Sequence, residues 1–175
     1  MAASSRHRVV DTHRPERASD WSRGMTVYWN GVAFRLLGSL TRGGMAEIFL
    51  AAPRDHAERA PTVVFKRLRS GGSYERAVLE MFEHEAQVAL RLDHPNIASH
   101  FGADECDGRP FLAMEYVEGQ TLASLFSAAQ KRAARLDDRL ALHIAMNVAT
   151  ALHHAHELVD EENSPLAVVH LSLIH

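Results

Sequence analysis

The sequence has a single cysteine, Cys106, among 175 residues. One thiol cannot crosslink the chain to itself, so no disulfide framework supports the fold and nothing points to an oxidising compartment. Long hydrophobic runs are also missing. No stretch approaches the roughly 20 apolar residues of a membrane-spanning helix, and the first residues lack the apolar core of a signal peptide. A strong charge of either sign is absent: 19 Lys and Arg against 22 Asp and Glu leave a formal net charge of -3. With no basic stripe interleaved with aromatics, that balance argues against a general nucleic-acid binder. What remains is ordinary for a soluble globular protein, with 46% apolar and 23% charged residues and enough chain for one domain with a core. The visible chain is therefore read as cytoplasmic, with no membrane segment.

Met1 to Arg23 is polar, arginine-rich and without period, so residues 1–24 are expected to form a disordered tail, with order beginning near Val27. Phe34 to Leu40 reads as a strand, Thr41 to Ala46 as a turn around paired glycines, and Glu47 to Ala51 as the returning strand of a hairpin. Pro53 to Pro61 is a polar loop. Thr62 to Leu68 is a third strand, apolar and β-branched. After Ser70-Gly-Gly-Ser73, the residues Val78, Met81, Phe82, Val88, Ala89 and Leu92 fall near helical spacing, which predicts a helix from about Tyr74 to Leu92. His94-Pro95-Asn96 ends it, because the residue before a proline avoids helical geometry. Ile97 to Ala103 and Pro110 to Tyr116 are two further strands around a turn at Asp107-Gly108. Beyond Gly119 the pattern is helical: Leu122 to Arg135, then a second helix capped by Asp137 or Asp138 and running to about Leu158. In it Leu140, Ile144, Val148 and Leu152 recur every four residues, predicting a buried stripe. Leu166 to His170 looks like a short strand, and no internal repeats occur. Five strands with one helix after the third, followed by two helices, make an α+β pattern.

Five strings in this order carry a resemblance: Arg42-Gly-Gly-Met-Ala-Glu-Ile-Phe-Leu-Ala51, Val63-Val-Phe-Lys66, Glu85 with His94-Pro-Asn-Ile97, Met114-Glu-Tyr-Val-Glu-Gly119, and Ala151-Leu-His-His-Ala-His-Glu157. Together, over roughly residues 34–170, they resemble the N-terminal half of a bacterial-type serine/threonine protein kinase. The resemblance implies an N-lobe over residues 25–117, a five-stranded antiparallel sheet plus one helix, and the first helices of an incomplete C-lobe over 118–170. It also implies ATP and magnesium as cofactors, a protein as substrate, and phosphoryl transfer from ATP to protein hydroxyls in the intact parent.

The residue roles follow from the same resemblance. Thr41, Arg42, Gly43, Gly44 and Ala46 would form the flap over the phosphates, where glycines let backbone N–H groups approach. The family's G-x-G-x-x-G falls on Thr41, Gly43 and Ala46, so only the middle glycine is kept. Thr41 is β-branched where the family has glycine, and an ordinary hairpin turn is the plainer alternative for this segment. Lys66 would neutralise the α- and β-phosphates and pair with a glutamate of the following helix. Glu85 is favoured as that partner, with Glu83 and Glu80 as competitors; an exposed helix charge is the other reading of Glu85. Leu40, Ile48 and Val64 would wall the adenine pocket and Met114 would close its back. The C=O of Glu115 and the N–H of Val117 would bond the adenine edge. An edge strand plus a turn also fits Met114 to Val117. His153, His154 and His156 lie near a helix end, but neighbours one or two apart do not share a helix face, so no metal site is assigned.

After Val168-Val-His170, where the family continues with H-R-D-x-x-x-x-N, this chain reads Leu171-Ser-Leu-Ile-His175. It contains no catalytic Asp, magnesium-binding Asn or D-F-G in that register. The last five residues can be encoded by CTGTCTCTTATACAC, similar to the start of a transposase mosaic end, so 171–175 is expected to be a non-native tail. The fragment itself is expected to be inactive. The alternative is a pseudokinase or nucleotide-binding interaction module without catalysis.

Overall fold

The computed structural model describes residues 21–42, 46–54, 62–69, 76–135, 137–159 and 166. The turn glycines Gly43 and Gly44, most of the segment 160–170 and all of 171–175 lie outside them, as do residues 1–20. The elements in chain order are β1 (Thr26–Trp29), β2 (Val32–Arg42), β3 (Ala46–Pro53), β4 (Val63–Leu68), α1 (Arg76–Ala89), β5 (His100–Cys106), β6 (Arg109–Glu115), α2 (Leu122–Lys131) and α3 (Asp138–His156). The strands form one antiparallel sheet in the order β1-β2-β3-β4-β6-β5.

That sheet has one strand more than the sequence pattern predicts. The additional strand, β1, is made by a two-residue hairpin loop: Trp29 pairs with Val32, and Asn30 and Gly31 between them have φ of 48° and 76°. Positive φ at both loop positions matches the right-handed twist of the flanking strands, and Asn-Gly adopts it at little cost. Asp107 and Gly108, at φ 53° and 73°, turn β5 into β6 in the same way.

Strand alternation divides the core into two faces. On one, Val64, Leu68, Leu112 and Met114 pack with Phe82, Ala86 and Ala89 of α1. On the other, Phe49, Phe65 and Phe111 gather around Trp21, with Phe34 against Phe65. Phe65 is central, with Phe111 at 5.1 Å and Phe34 at 5.4 Å between ring centroids, edge to face, an arrangement aromatic quadrupoles favour. All six residues of β4 are buried, as expected of a strand covered on both sides.

The boundary expected for the tail moves as a result. Trp21 lies within the expected 1–24 segment yet is only 4% exposed, and Gly24 N–H donates to Leu36 C=O at 2.8 Å. Its polar, arginine-rich surroundings give no periodic signal. The aromatic side chain is held by long-range packing that pattern reading does not detect.

A bulge at Phe101 separates the pairs His100–Met114 and Gly102–Ala113. There the sheet curls until the edge strands approach: a Cβ on Gly102 would sit 3.4 Å from Cζ2 of Trp29. That is ordinary van der Waals contact; what favours glycine there is its φ of 157°, a backbone conformation that residues with side chains rarely adopt.

The helices begin where their caps place them. Thr121 Oγ1 accepts from Ser124 N–H at 3.1 Å. Asp137, rather than Asp138, caps α3, accepting from the N–H groups of Arg139 and Leu140 at 2.8 and 3.2 Å. α2 ends four residues before the predicted Arg135, at Lys131, with Ala133 at φ 49°. Two apolar expectations fail. Met81 is 66% exposed, because the buried face of α1 runs through Phe82 and Ala86, one position away. The α3 stripe is not buried: Leu140 is 44% exposed, and Ile144, Val148 and Leu152 are half-covered. Only the far end of α3 docks, through Ala151 and Ala155, Thr150 against Asn96 at 3.3 Å, and Arg91 donating to the C=O of Val159. Among the described residues Leu140, Leu142 and Met146 in the first half of the helix remain exposed.

Candidate functional site

Lys66 sits mid-strand in β4, opposite Ile48 of β3 and Leu112 of β6. Both neighbours are apolar and Lys66 is only 6% exposed. An ammonium in such a place needs a partner. Lys66 Nζ donates to Glu85 Oε1 at 2.6 Å, with the carboxylate side chain 24% exposed. Glu85 reaches it because Phe82 and Ala86 of the same helix are buried against the sheet, turning this face of α1 inward. The competitors go elsewhere. Glu80 pairs along the helix with Arg76 at 2.8 Å, and Glu83 is exposed.

Beside this pair the register aligns apolar side chains. Leu50, Val64, Met114 and His100 lie in one row across β3, β4, β6 and β5. Val64 and Met114 are 5% and 8% exposed, and Ile48 is half-buried. Leu40 is 48% exposed and sits at a register shift between Ser39 and Thr41. After β6 the chain leaves the sheet. Glu115 N–H donates to Ser99 C=O at 2.8 Å, its carboxylate accepts from Ser99 N–H at 2.9 Å, and Val117 is 65% exposed. The structure thus brings Ile48, Val64, Lys66, Glu85 and Met114 to one face, and Leu40 and Val117 are exposed. Thr41 is exposed at the end of β2, and Ala46 opens β3 opposite Leu68. Arg42 closes β2; the turn between Arg42 and Ala46 is outside the described residues.

Sequence reading missed two features. On the opposite face, Arg67 is 2% exposed, with its guanidinium carbon 4.6 Å from the Trp21 ring centroid and 5.5 Å from that of Phe49, a cation–π arrangement. It donates to Glu47 Oε2 at 3.4 Å, and Arg69 lies 3.9 Å from the other oxygen. Glu47 is the second residue after the turn, so Trp21 is linked through one arginine to the base of the hairpin. The sequence signal is a second cation, next to Lys66, inside an apolar strand. The second feature is His100, whose burial together with the Lys66 charge pushes its pKa below the ordinary imidazole value, while Glu85 opposes that shift.

Among the described residues no three His, Cys, Asp or Glu side chains are grouped to hold a metal ion. His153 faces Glu157 at 3.5 Å, and His154 stacks on His94 at 5.4 Å.

Comparison with known proteins places these features in a family. The profile described as "Protein tyrosine and serine/threonine kinase" matches residues 34–159. The chain is 35% identical over 137 residues to the tyrosine-protein kinase MasK of Myxococcus xanthus, covering 77% of this chain and 21% of that protein. It is 35% identical over 132 residues to the serine/threonine-protein kinase PksC of Streptomyces coelicolor, covering 73% and 23%. It is 34% identical over 124 residues to the serine/threonine-protein kinase PrkC of Bacillus subtilis, covering 71% and 18%. The chain therefore spans about a fifth of the length of these relatives. The crystal structure of the Mycobacterium tuberculosis PknI kinase domain superimposes with a TM-score of 0.58 at 28% identity, over 78% of this chain and 52% of that one.

Proposed function

Because the chain belongs to the protein tyrosine and serine/threonine kinase family, we propose that it is the nucleotide-binding part of a bacterial-type serine/threonine kinase. The intact parent would transfer the γ-phosphoryl group of ATP to protein hydroxyls. The observation that carries this reading is the buried Lys66–Glu85 contact of 2.6 Å, on the face that also presents Val64 and Met114. In the reading, Lys66 binds the α- and β-phosphates and Glu85 holds its amine in place. Val64, Ile48 and Leu40 sandwich the adenine, with Met114 behind it. The C=O of Glu115 accepts from the adenine edge and the N–H of Val117 donates to it. Thr41, Arg42, Gly43, Gly44 and Ala46 cover the phosphates. Magnesium would neutralise the phosphate charge, but this chain lacks the family's Asn and D-F-G residues that hold it.

The assignment of residues up to 117 to the nucleotide lobe, 118–170 to the start of a second lobe and 171–175 to a non-native tail belongs to the same proposal. So do a cytoplasmic location and serine/threonine specificity. Among the described residues no helix is long and apolar enough to cross a membrane, and PksC and PrkC support the specificity by name.

This chain by itself is proposed to bind nucleotide without turning it over. Thermal unfolding with and without ATP and magnesium tests the first half, since ligand binding to the folded state raises its apparent stability. Lys66→Met is expected to abolish the rise. Incorporation of labelled phosphate into a generic protein substrate tests the second half, and magnesium-dependent turnover by the purified chain would overturn it. A second reading, a nucleotide-binding interaction module whose parent also lacks catalysis, is favoured only by Thr41 standing where the family has glycine. A parent that turns over ATP would exclude it.

A further inference from the structure

Behind the Lys66–Glu85 pair stands a third ionisable side chain that neither partner engages. His100 opens β5 opposite Met114, and the bulge that follows it keeps His100 in the row with Val64 and Leu50. Both of its ring nitrogens are sealed from solvent and neither has a hydrogen-bond partner. An imidazole always carries at least one N–H donor, and in its neutral form one acceptor as well. Leaving both unmade inside a protein is unfavourable, so a conformation that satisfies one of them is within reach. The charged groups acting on the ring are Lys66 from β4 and Glu85 from α1, while β6 presents only the apolar Leu112 and Met114 on this face. The cation repels a protonated ring and the carboxylate attracts it, but Glu85 Oε1 is already taken by Lys66 at 2.6 Å.

We propose that His100 is a proton-controlled positioning residue for Lys66. Neutral, it stands idle behind the ion pair. Once a ring nitrogen takes a proton from solvent, the imidazolium competes for the Glu85 carboxylate, and Lys66 loses the anchor that aims it at nucleotide phosphates. An imidazolium there repels the Lys66 ammonium and attracts the Glu85 carboxylate, so acid shifts the population away from the Lys66–Glu85 arrangement. Nucleotide binding would thereby become pH-sensitive below the ordinary histidine midpoint, because burial and Lys66 make this ring harder to protonate. The inference rests on the reading of Lys66 as a phosphate ligand.

The test measures affinity for ATP with magnesium by calorimetry from about pH 8 down to about pH 5, for the 175-residue chain and for His100→Leu and His100→Gln, with NMR titration showing that the His100 ring is protonated at the acid end. Because the phosphates also titrate, the comparison between proteins at each pH is the readout. The native chain is expected to lose about tenfold more affinity on acidification than either variant, equivalent to about one pKa unit of coupling. Parallel profiles for all three would overturn the proposal. A second measurement needs neither nucleotide nor variant: NMR titration of the His100 ring and the Lys66 ε-methylene in the native chain. A common midpoint supports the switch, and a Lys66 signal indifferent to His100 protonation sinks it. If nucleotide binds at no pH, the phosphate-site reading fails on its own, and the NMR titration still decides whether His100 controls the pair.

Discussion

Replacing Glu85 by alanine should cost this chain far more stability than replacing Lys66 by methionine, although both changes break the same ion pair. At 2.6 Å the direct attraction is about 6 kcal/mol if the effective dielectric is about 20. Taking two ions out of water costs several kcal/mol each, so the pair as a whole contributes little net stability. Removing one partner is a different matter. Glu85→Ala leaves an ammonium on a residue 6% exposed, between Ile48 and Leu112, and an orphaned buried charge costs about 3–5 kcal/mol. Glu85 is itself about a quarter open to solvent, and water entering the vacated space brings the expected cost to the lower end, about 3 kcal/mol. For a chain of this length that lowers the melting temperature by about 6–12 °C. Lys66→Met keeps the aliphatic volume, removes the charge and leaves the more exposed carboxylate to be hydrated, for a cost of about 1 kcal/mol or less. Lys66→Met with Glu85→Leu should be neutral or stabilising. Urea unfolding followed by circular dichroism reads all three. The reasoning is refuted if Glu85→Ala is as mild as Lys66→Met, or if the double variant is the least stable.

Four further outcomes follow from the packing. Phe65→Ala removes the ring at the centre of the aromatic face and should cost about 3–5 kcal/mol, against less than about 1 kcal/mol for the exposed Met81→Ala, both read by urea unfolding. Asp137→Ala deletes the cap of α3 and should cost about 1 kcal/mol, with Asp138→Ala near neutral because Asp138 is not the cap; comparing the two midpoints checks the assignment. Gly102→Val should strain the closure between β1 and β5 and alter the fluorescence of Trp29, whereas Gly38→Val, with open space around it, should leave that emission unchanged. The fourth concerns pH. Burial and Lys66 hold the His100 pKa below its ordinary value near 6.5, so the unfolded chain binds this proton more readily than the folded one. The stability tied to the neutral ring is therefore complete above that value and lost as pH falls through the lowered folded pKa. The native chain should lose more stability on acidification through that window than His100→Leu.

Much of this molecule is local and was therefore legible in the sequence. Gly-Gly, Asp-Gly and His-Pro mark the breaks, an apolar run marks β3 and a β-branched one β4, and the spacing of Val78, Phe82 and Ala89 marks α1, because turn angles and side-chain periodicity depend on near neighbours along the chain. The Lys66–Glu85 pairing was also within reach, since two motifs in register fix which turn of a helix faces which point on a strand. Even β1 left a sign, the Asn30-Gly31 dipeptide between two short apolar stretches, Thr26–Trp29 and residues 32–34.

What only the tertiary structure decided are the consequences of contacts between distant segments. Trp21 is core rather than tail because three phenylalanines and Arg67 from β3, β4 and β6 converge on it. Arg67 is buried while Arg69 is not, because the Trp21 and Phe49 rings cover Arg67 and Arg69 lies just past the end of β4. The His100 ring nitrogens are shut off from solvent without partners, on the face of the ion pair, where His100 pairs with Met114 just before the bulge at Phe101. The α3 stripe has helical period, but period shows only which side of a helix is apolar. Burial depends on whether another surface arrives to cover that side, and no repeat along the chain encodes it.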